Sequence, residues 1–423
     1  MTLLYNIAFI LFALFYLPTF FLKKKSQDHL RERFGFLPKV ARSDGQTVWL
    51  HTVSLGEALA ALPLIQEIRK TFPDVHFVFS TTTKTGRTIL EGIRRKEELL
   101  FYFPFDVSSV VRRVVRTVHP HLFVTMETEI WPNLILALKK ENVPIVLLNG
   151  RISKKSFRGY RWIRWALSGP LQKVDLFCMQ HVEDGNRIRA LGADPEKIRI
   201  LGNMKFDLLA GREEGISCDG VREKLGLEKG EKLWVAGSTH PGEEKFLLEI
   251  YESLSNDYPH LRLLIAPRHP ERKKEVVQLI RAFHREASLV SEVEHRQKIP
   301  SSVLVLDTIG TLRSIYAVAD FVFIGGSLVP KGGQNLLEPA LFAKPILFGP
   351  YMDNFQDIVH LFLKEGAVKQ VRGKEELADM ARTLLENERL GKSLGEKAKK
   401  VLEAHQGVVQ RYLEILKEFL TNR

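Results

Sequence analysis

Apolar and polar residues follow one another along this chain in blocks. Short, nearly continuous apolar runs are "TVWLHTVS" (47–54), "VHFVFSTTT" (75–83), "HLFVTMET" (121–128), "VPIVLLNGR" (143–151) and "DLFCMQ" (175–180). Helical spacing of apolar residues fills the intervals between them. Runs without polar alternation suit strands covered on both faces, so the pattern predicts a parallel sheet flanked by helices. From Gly211 to Lys232 the chain turns polar and charged, and the rhythm then resumes with "LWVAGS" (233–238), "LRLLIAPRH" (261–269), "SVLVLD" (302–307), "FVFIGGS" (321–327) and "KPILFGP" (344–350). The expected architecture is α/β, with two doubly wound Rossmann-like domains, 26–210 and 211–423. In such sheets ligands bind at the carboxyl ends of the strands, so a cleft common to both domains is expected.

A third pattern precedes the first domain. "MTLLYNIAFILFALFYLPTFFL" carries no charge over 22 residues and "KKK" follows it. That length crosses a bilayer as a helix, and lysines on its C-terminal side place the remainder in the cytoplasm, so 1–25 is expected to be a single-pass membrane anchor. A secretory signal would carry its charge before the apolar stretch. The competing reading is an apolar helix docked on the protein itself.

The length of 423 residues, with 45% hydrophobic and 26% charged, is that of a globular chain with two cores. Its net charge of +12 suits an anionic partner: nucleic acid, anionic lipid or a phosphorylated substrate. Cys178 and Cys218 stand far apart and suggest neither a disulfide framework nor a zinc site. Neither G-x-G-x-x-G nor G-x-x-x-x-G-K-[ST] occurs, nor a D-x-D pair to hold a metal on a diphosphate, so no metal or cofactor is expected.

Four segments following predicted strands carry the candidate chemistry. "SLGEA" puts Glu57 in a first helical turn, where backbone N–H groups and the helix dipole are expected to keep it ionised, either as an ordinary helix-start residue or as a general base. "TMETEIWPNL" offers Glu127 and Glu129. Residues i and i+2 of an extended chain point to opposite sides, so one carboxylate, Glu127, is expected to reach a cleft. "GNMKFD" places Lys205 near the domain junction, solvated or neutralising developing charge. In the second half, "AGSTHPGEE", "APRHPER", "DTIGTL" and "GGSLVPKGGQNLLEP" combine glycines, helix starts and the donors Arg268 and His269, which suits a nucleotide phosphate. Glu338, three residues after Asn335, is placed to accept from sugar hydroxyls.

Together, "HTVSLGE", "METEIWP", "GNMKFD", "APRHPER" and "GGQNLLEP…KPILFGP", behind the apolar segment, resemble the lipid A Kdo transferases (3-deoxy-D-manno-octulosonic acid transferases) over nearly the whole chain. The resemblance implies a GT-B fold and inverting, metal-independent transfer of Kdo from CMP-Kdo to a lipid A precursor at the cytoplasmic face of the inner membrane. Anionic lipids are then implied partners and nucleic acid is not. It also implies Glu57 as proton acceptor and Glu127 and Lys205 as transition-state stabilisers. CMP contacts fall on Arg268, His269, Ile309, Gly310, Thr311, Asn335, Leu336, Leu337 and Glu338. One position departs from the family: Gly310-Thr311-Leu312 stands where Gly-Glu-Leu is common, which leaves a backbone contact at 311 as the implied one. Two other readings share the layout: a nucleotide-sugar epimerase or diphosphate-donor transferase, and a tethered binding protein without catalysis.

Overall fold

The computed structural model describes residues 5, 29–38, 45–209, 211, 215–294 and 301–421. Apart from Tyr5, the expected membrane segment 1–25 lies outside the described residues; among these, no helix is long and apolar enough to cross a membrane.

The chain divides into two compact units, 1–208 with 406–423, and 209–405. In the first unit, seven parallel strands are β1 (Thr47–Thr52), β2 (His76–Thr81), β3 (Leu99–Tyr102), β4 (Leu122–Met126), β5 (Ile145–Gly150), β6 (Leu176–Met179) and β7 (Ile198–Ile200), ordered β3-β2-β1-β4-β5-β6-β7. Chain direction across the sheet reverses between β1 and β4, the place where doubly wound sheets open a ligand crevice. The second unit holds β8 (Lys232–Thr239), β9 (Leu261–Pro267), β10 (Ala287–Leu289), β11 (Val303–Val305), β12 (Phe321–Ile324), β13 (Ile346–Phe348) and β14 (Lys369–Gln370), ordered β10-β11-β9-β8-β12-β13-β14. Its reversal lies between β8 and β12.

The ten strands expected from apolar runs are all present. The four that were not, β3, β7, β10 and β14, are the outermost strands of the two sheets. An edge strand is short and has one neighbour to satisfy, so it needs no long apolar run.

Apolar faces of both sheets are covered by helices. One core layer of the first unit joins Val48, Leu50, Phe79 and Met126 to Leu64, Ile65 and Ile68 of the helix Leu55–Thr71. The opposite layer joins Trp49, Phe101, Phe123 and Leu147 to Val111, Leu134 and Leu138.

The expected second domain, 211–423, differs from the observed unit at its end. The final helix, Val408–Thr421, buries Val408, Tyr412, Leu413 and Leu416 in the first unit's core. Asp207 fixes its start, its carboxylate accepting from Gly407 N (2.7 Å) and Val409 N (2.5 Å). The Tyr412 hydroxyl donates to Gly202 O (3.0 Å) and accepts from Asn149 N (3.2 Å).

Candidate functional site

In the first unit the chain leaves β1 through Val53 and enters the helix Leu55–Thr71 with Ser54 as N-cap. Ser54-Leu55-Gly56-Glu57 is a capping box: the Ser54 hydroxyl accepts from Glu57 N (3.3 Å) and donates to Glu57 Oε1 (2.8 Å), while Val53 N donates to Glu57 Oε2 (2.7 Å). The loop is braced by Thr81, Thr82 and Thr83, whose hydroxyls all donate to Val53 O. Glu57 is buried. Burial, and then the Glu127 charge, push its carboxyl up to about 7 against the hydrogen bonds of Val53 and Ser54. The expectation that the helix start keeps this group ionised is therefore corrected: desolvation outweighs the dipole here.

Glu127 follows β4 with φ 54, in the left-handed region, and donates its N–H to Leu148 O (2.8 Å). This turn explains a second correction. The opposite-side rule holds for extended backbone, and the chain is not extended at 127. Glu129 thus joins the cluster: burial, then the charges of Glu57 and Glu127, raise its carboxyl to about 8, although it accepts from Trp131 Nε1 (3.0 Å). Trp131 packs on Phe103 (5.1 Å between centroids), which stacks on His51 (3.9 Å). Burial lowers the His51 ring to about 3, so it is neutral at pH 7. Beyond Trp131 the helix Pro132–Lys140 begins, with Asp106 accepting from Asn133 N (3.1 Å) and Leu134 N (2.8 Å). The Tyr5 hydroxyl donates to the same carboxylate (3.0 Å).

Lys205 sits in the short 3-10 helix Met204–Leu209, whose start is held by amides. Asn149 Oδ1 accepts from Met204 N (3.0 Å), Asn203 Oδ1 accepts from Lys205 N (3.0 Å), Asn203 Nδ2 donates to Gln180 Oε1 (2.9 Å), and Gln180 Nε2 donates to Asn149 O (2.9 Å). The Lys205 side chain is half-buried and forms no ion pair among the described residues; it is not one of the charges acting on Glu57. The charges of Glu57, Glu127 and Glu129 act on one another.

In the second unit, Gly242 caps the helix Glu243–Ser255, and the buried Glu243 accepts from His240 N (2.9 Å), Gly326 N (2.7 Å), Ser327 N (3.0 Å) and Leu328 N (2.9 Å). This carboxylate joins the loops after β8 and β12. Only glycine fits at 325, since a Cβ there would lie 2.3 Å from Ser238 O. Arg268 N bonds Thr239 O (2.9 Å), and His240 meets His269 edge-on at 6.2 Å. The His240 ring is pushed down by burial, then by His269, Lys331 and Arg268, against the opposing charge of Glu244, so four potential cations and one carboxylate act there. Gln334 Nε2 lies 3.3 Å from His240 Nε2.

The remaining expected contacts divide. Asn335 Oδ1 accepts from Leu337 N (3.0 Å) at the start of Leu337–Leu341. Leu336 and Leu337 are buried, which leaves only their backbone for a ligand. The Glu338 charge reaches the buried Tyr316 phenol, raised chiefly by burial. Ile309 is 86% exposed and Gly310 has φ 91. Thr311 shares a hydroxyl hydrogen bond with Thr308 (2.8 Å) and lines a cavity of about 310 Å³ with Ile216, Ser217, Val290, Ser314 and Ile315.

Sequence reasoning gave no role to Glu129, His240, Glu243, Lys331 or Gln334. All lie inside or beside the quoted motifs, and only the fold shows which of them converge. Among the described residues no group of three or more His, Cys, Asp or Glu is disposed to hold a metal ion.

A family model described as 3-Deoxy-D-manno-octulosonic-acid transferase (kdotransferase) matches residues 28–208. The 3-deoxy-D-manno-octulosonic acid transferase of Haemophilus influenzae is 33% identical over 399 residues, 93% of this chain and 92% of that protein. Its counterpart from Chlamydia trachomatis serovar A is 30% identical over 409 residues, 95% and 92% of the two chains. Among solved structures, UDP-GlcNAc 2-epimerase from Neisseria meningitidis bound to UDP-GlcNAc matches 89% of this chain and 100% of its own, at a TM-score of 0.57 and 12% identity, a likeness of fold alone. With a relative one-third identical across nearly the whole of both chains, the protein belongs to the 3-deoxy-D-manno-octulosonic acid transferase family and is a glycosyltransferase.

Proposed function

We propose that the chain transfers Kdo from CMP-Kdo to a lipid A precursor, lipid IVA, with inversion and without a metal, and that Glu57 is the general base. The observation that carries this reading is the Glu57 carboxyl: buried beside Glu127 where the first sheet reverses, and titrating at about 7. A base poised near ambient pH both exists as carboxylate and accepts a proton with useful strength. The acceptor hydroxyl gives its proton to Glu57 as its oxygen bonds the anomeric carbon of Kdo. The bond from that carbon to the phosphate oxygen breaks, and CMP departs with the electron pair. Lys205 and Arg268 supply positive charge for the transition state and the departing phosphate. Arg268, His269, Asn335 and Glu338, with backbone at 309–311, 336 and 337, hold the CMP portion. The apolar residues 1–22, followed by Lys23, Lys24 and Lys25, anchor the enzyme in the inner membrane with both units on the cytoplasmic side.

Release of CMP from CMP-Kdo is the test. It is expected to require the lipid acceptor, to be unaffected by EDTA, and to fall about 10²-fold or more in Glu57→Gln. Release from Glu57→Gln at the normal rate would remove Glu57 from the mechanism, and release without acceptor would point to hydrolysis.

A further inference from the structure

Within the polar stretch 211–232, Ile216, Val221 and Leu225 have no part in the sheets or the nucleotide loops. The fold gives them a common direction. Ser217, Val221, Lys224 and Leu225, spaced three or four residues apart, share one side of the helix Cys218–Lys224 and its caps. Thr311, Ser314 and Ile315 likewise share one side of the helix Leu312–Tyr316 and its cap. The two helices approach where Cys218 Sγ lies 3.9 Å from Ala317 O. Beside that contact, these two sides and Val290 line the cavity of about 310 Å³.

Short side chains keep the space open. Gly220 lines it with none, and a Cβ added there would meet only Ser217, 3.3 Å from its Oγ. Thr311, another wall, stands where glutamate is common in the family, so this chain lacks the longer acidic side chain at that position. The chemistry of the lining is lopsided. Ile216, Val221, Leu225, Val290 and Ile315 make it largely apolar, and the last three are buried. Among the described residues that line it, Lys224 carries the one charge. Two of the hydroxyls already have partners: Thr311 bonds Thr308, and Ser314 donates to Thr311 O (2.7 Å). A sugar or free nucleoside would leave its hydroxyls against apolar walls. An apolar body with one anionic head fits better, since it displaces water from the walls and pairs with the ammonium.

We propose that this cavity binds a small carboxylate amphiphile of the medium-chain fatty acid kind, with its tail between the two helices and its head at Lys224. At the packing density of a protein interior, about 0.74, the space holds on the order of ten non-hydrogen atoms, the size of octanoate. The site is distinct from the proposed nucleotide contacts. Tyr316, on the same short helix, faces away from the cavity: it packs on Gly237 and senses the Glu338 charge. Thr311 belongs to both, its side chain to the cavity and its backbone to the nucleotide reading.

The test is calorimetry of octanoate with the full chain in phosphatidylcholine nanodiscs, with empty nanodiscs as reference. One site per chain is expected, with a dissociation constant on the order of 10⁻⁴ M for a ligand of this size. Val221→Phe fills the cavity and should weaken binding at least about tenfold. Gly220→Leu fills it from the same helix and serves if Val221→Phe does not fold. Lys224→Gln should weaken binding about two- to fivefold, the scale of an exposed ion pair. Methyl octanoate should be weaker by a similar factor, which separates a free acid from an esterified acyl chain. Saturating CMP should leave octanoate bound. Absence of saturable binding, binding unchanged in the filled variants, an ester bound as tightly as the acid, or displacement by CMP would each overturn the proposal. None of these readouts involves Kdo transfer, so failure of this site is distinguishable from failure of the catalytic reading.

Discussion

Glu57 and Glu243 occupy the same topological place in their two units. Each opens the helix after the strand on one side of its sheet's reversal, each is buried, and burial raises each carboxyl above its ordinary range. They differ in their partners. Glu243 is saturated by four backbone N–H groups from two loops, which turns a charge into a rivet. Glu57 receives hydrogen bonds from the Val53 and Ser54 backbone and the Ser54 hydroxyl, all within its own turn, and faces a second carboxylate. One fold position thus carries in one unit a carboxylate that ties two loops together and in the other a carboxyl bonded only within its own turn, and what separates them is the reach of their donors and the second carboxylate facing Glu57.

The comparison breaks most visibly by substitution. Glu57→Gln should lower turnover by about 10²-fold or more with little change in melting temperature, whereas Glu243→Ala should leave four N–H groups without their acceptor, those of Gly326 and Ser327 buried, and cost about 2–4 kcal/mol of stability. Thermal melts and transfer assays on both variants read this directly. Equal loss of stability in the two would mean that Glu57 is also merely structural.

The pH profile sharpens it next. A base must be deprotonated, so kcat/KM should rise with pH and level off above about 7, the Glu57 value. Because the Glu127 charge contributes to that value, Glu127→Gln should move the rising limb to lower pH. A limb that stays in place would disconnect the two carboxylates.

The smallest effect concerns Glu129, which titrates at about 8 when folded and at the ordinary 4.5 when unfolded. The folded state binds this proton more tightly, so its stabilising contribution is complete below 4.5 and lost as pH rises through 8. Glu129→Gln does not titrate there. It should match the parent near pH 4.5 and melt a few degrees higher at pH 9; a melting difference independent of pH would place Glu129 outside the cluster.

Much of this was legible in the sequence, for identifiable reasons. Central strands such as "LWVA" and "HLFVT" are covered on both faces and show it as unbroken apolar runs. The edge strands β7 and β14, partly exposed, carry no such signal. Glu57 was legible because a capping box is local, with Ser54 and Glu57 three residues apart. Glu129 was not, because its placement depends on the left-handed turn at Glu127. The convergence of His240 with Lys331 joins positions about ninety residues apart, and nothing in either segment alone announces it. The family motifs gave no indication that Leu336 and Leu337 turn their side chains into the core.

The return of the last helix to the first unit also sets an order of events during synthesis. The second unit, 209–405, leaves the ribosome as a continuous stretch and can close its core at once. The first unit, although begun earlier, lacks Val408, Tyr412, Leu416 and Leu420 until the whole of the second has been translated. The chain leading into the Lys205 turn likewise waits for Tyr412 to reach Gly202 and Asn149. A chain stalled before residue 408 therefore carries a finished second unit and an unfinished first one, and a nascent enzyme acquires its carboxylate-bearing half last.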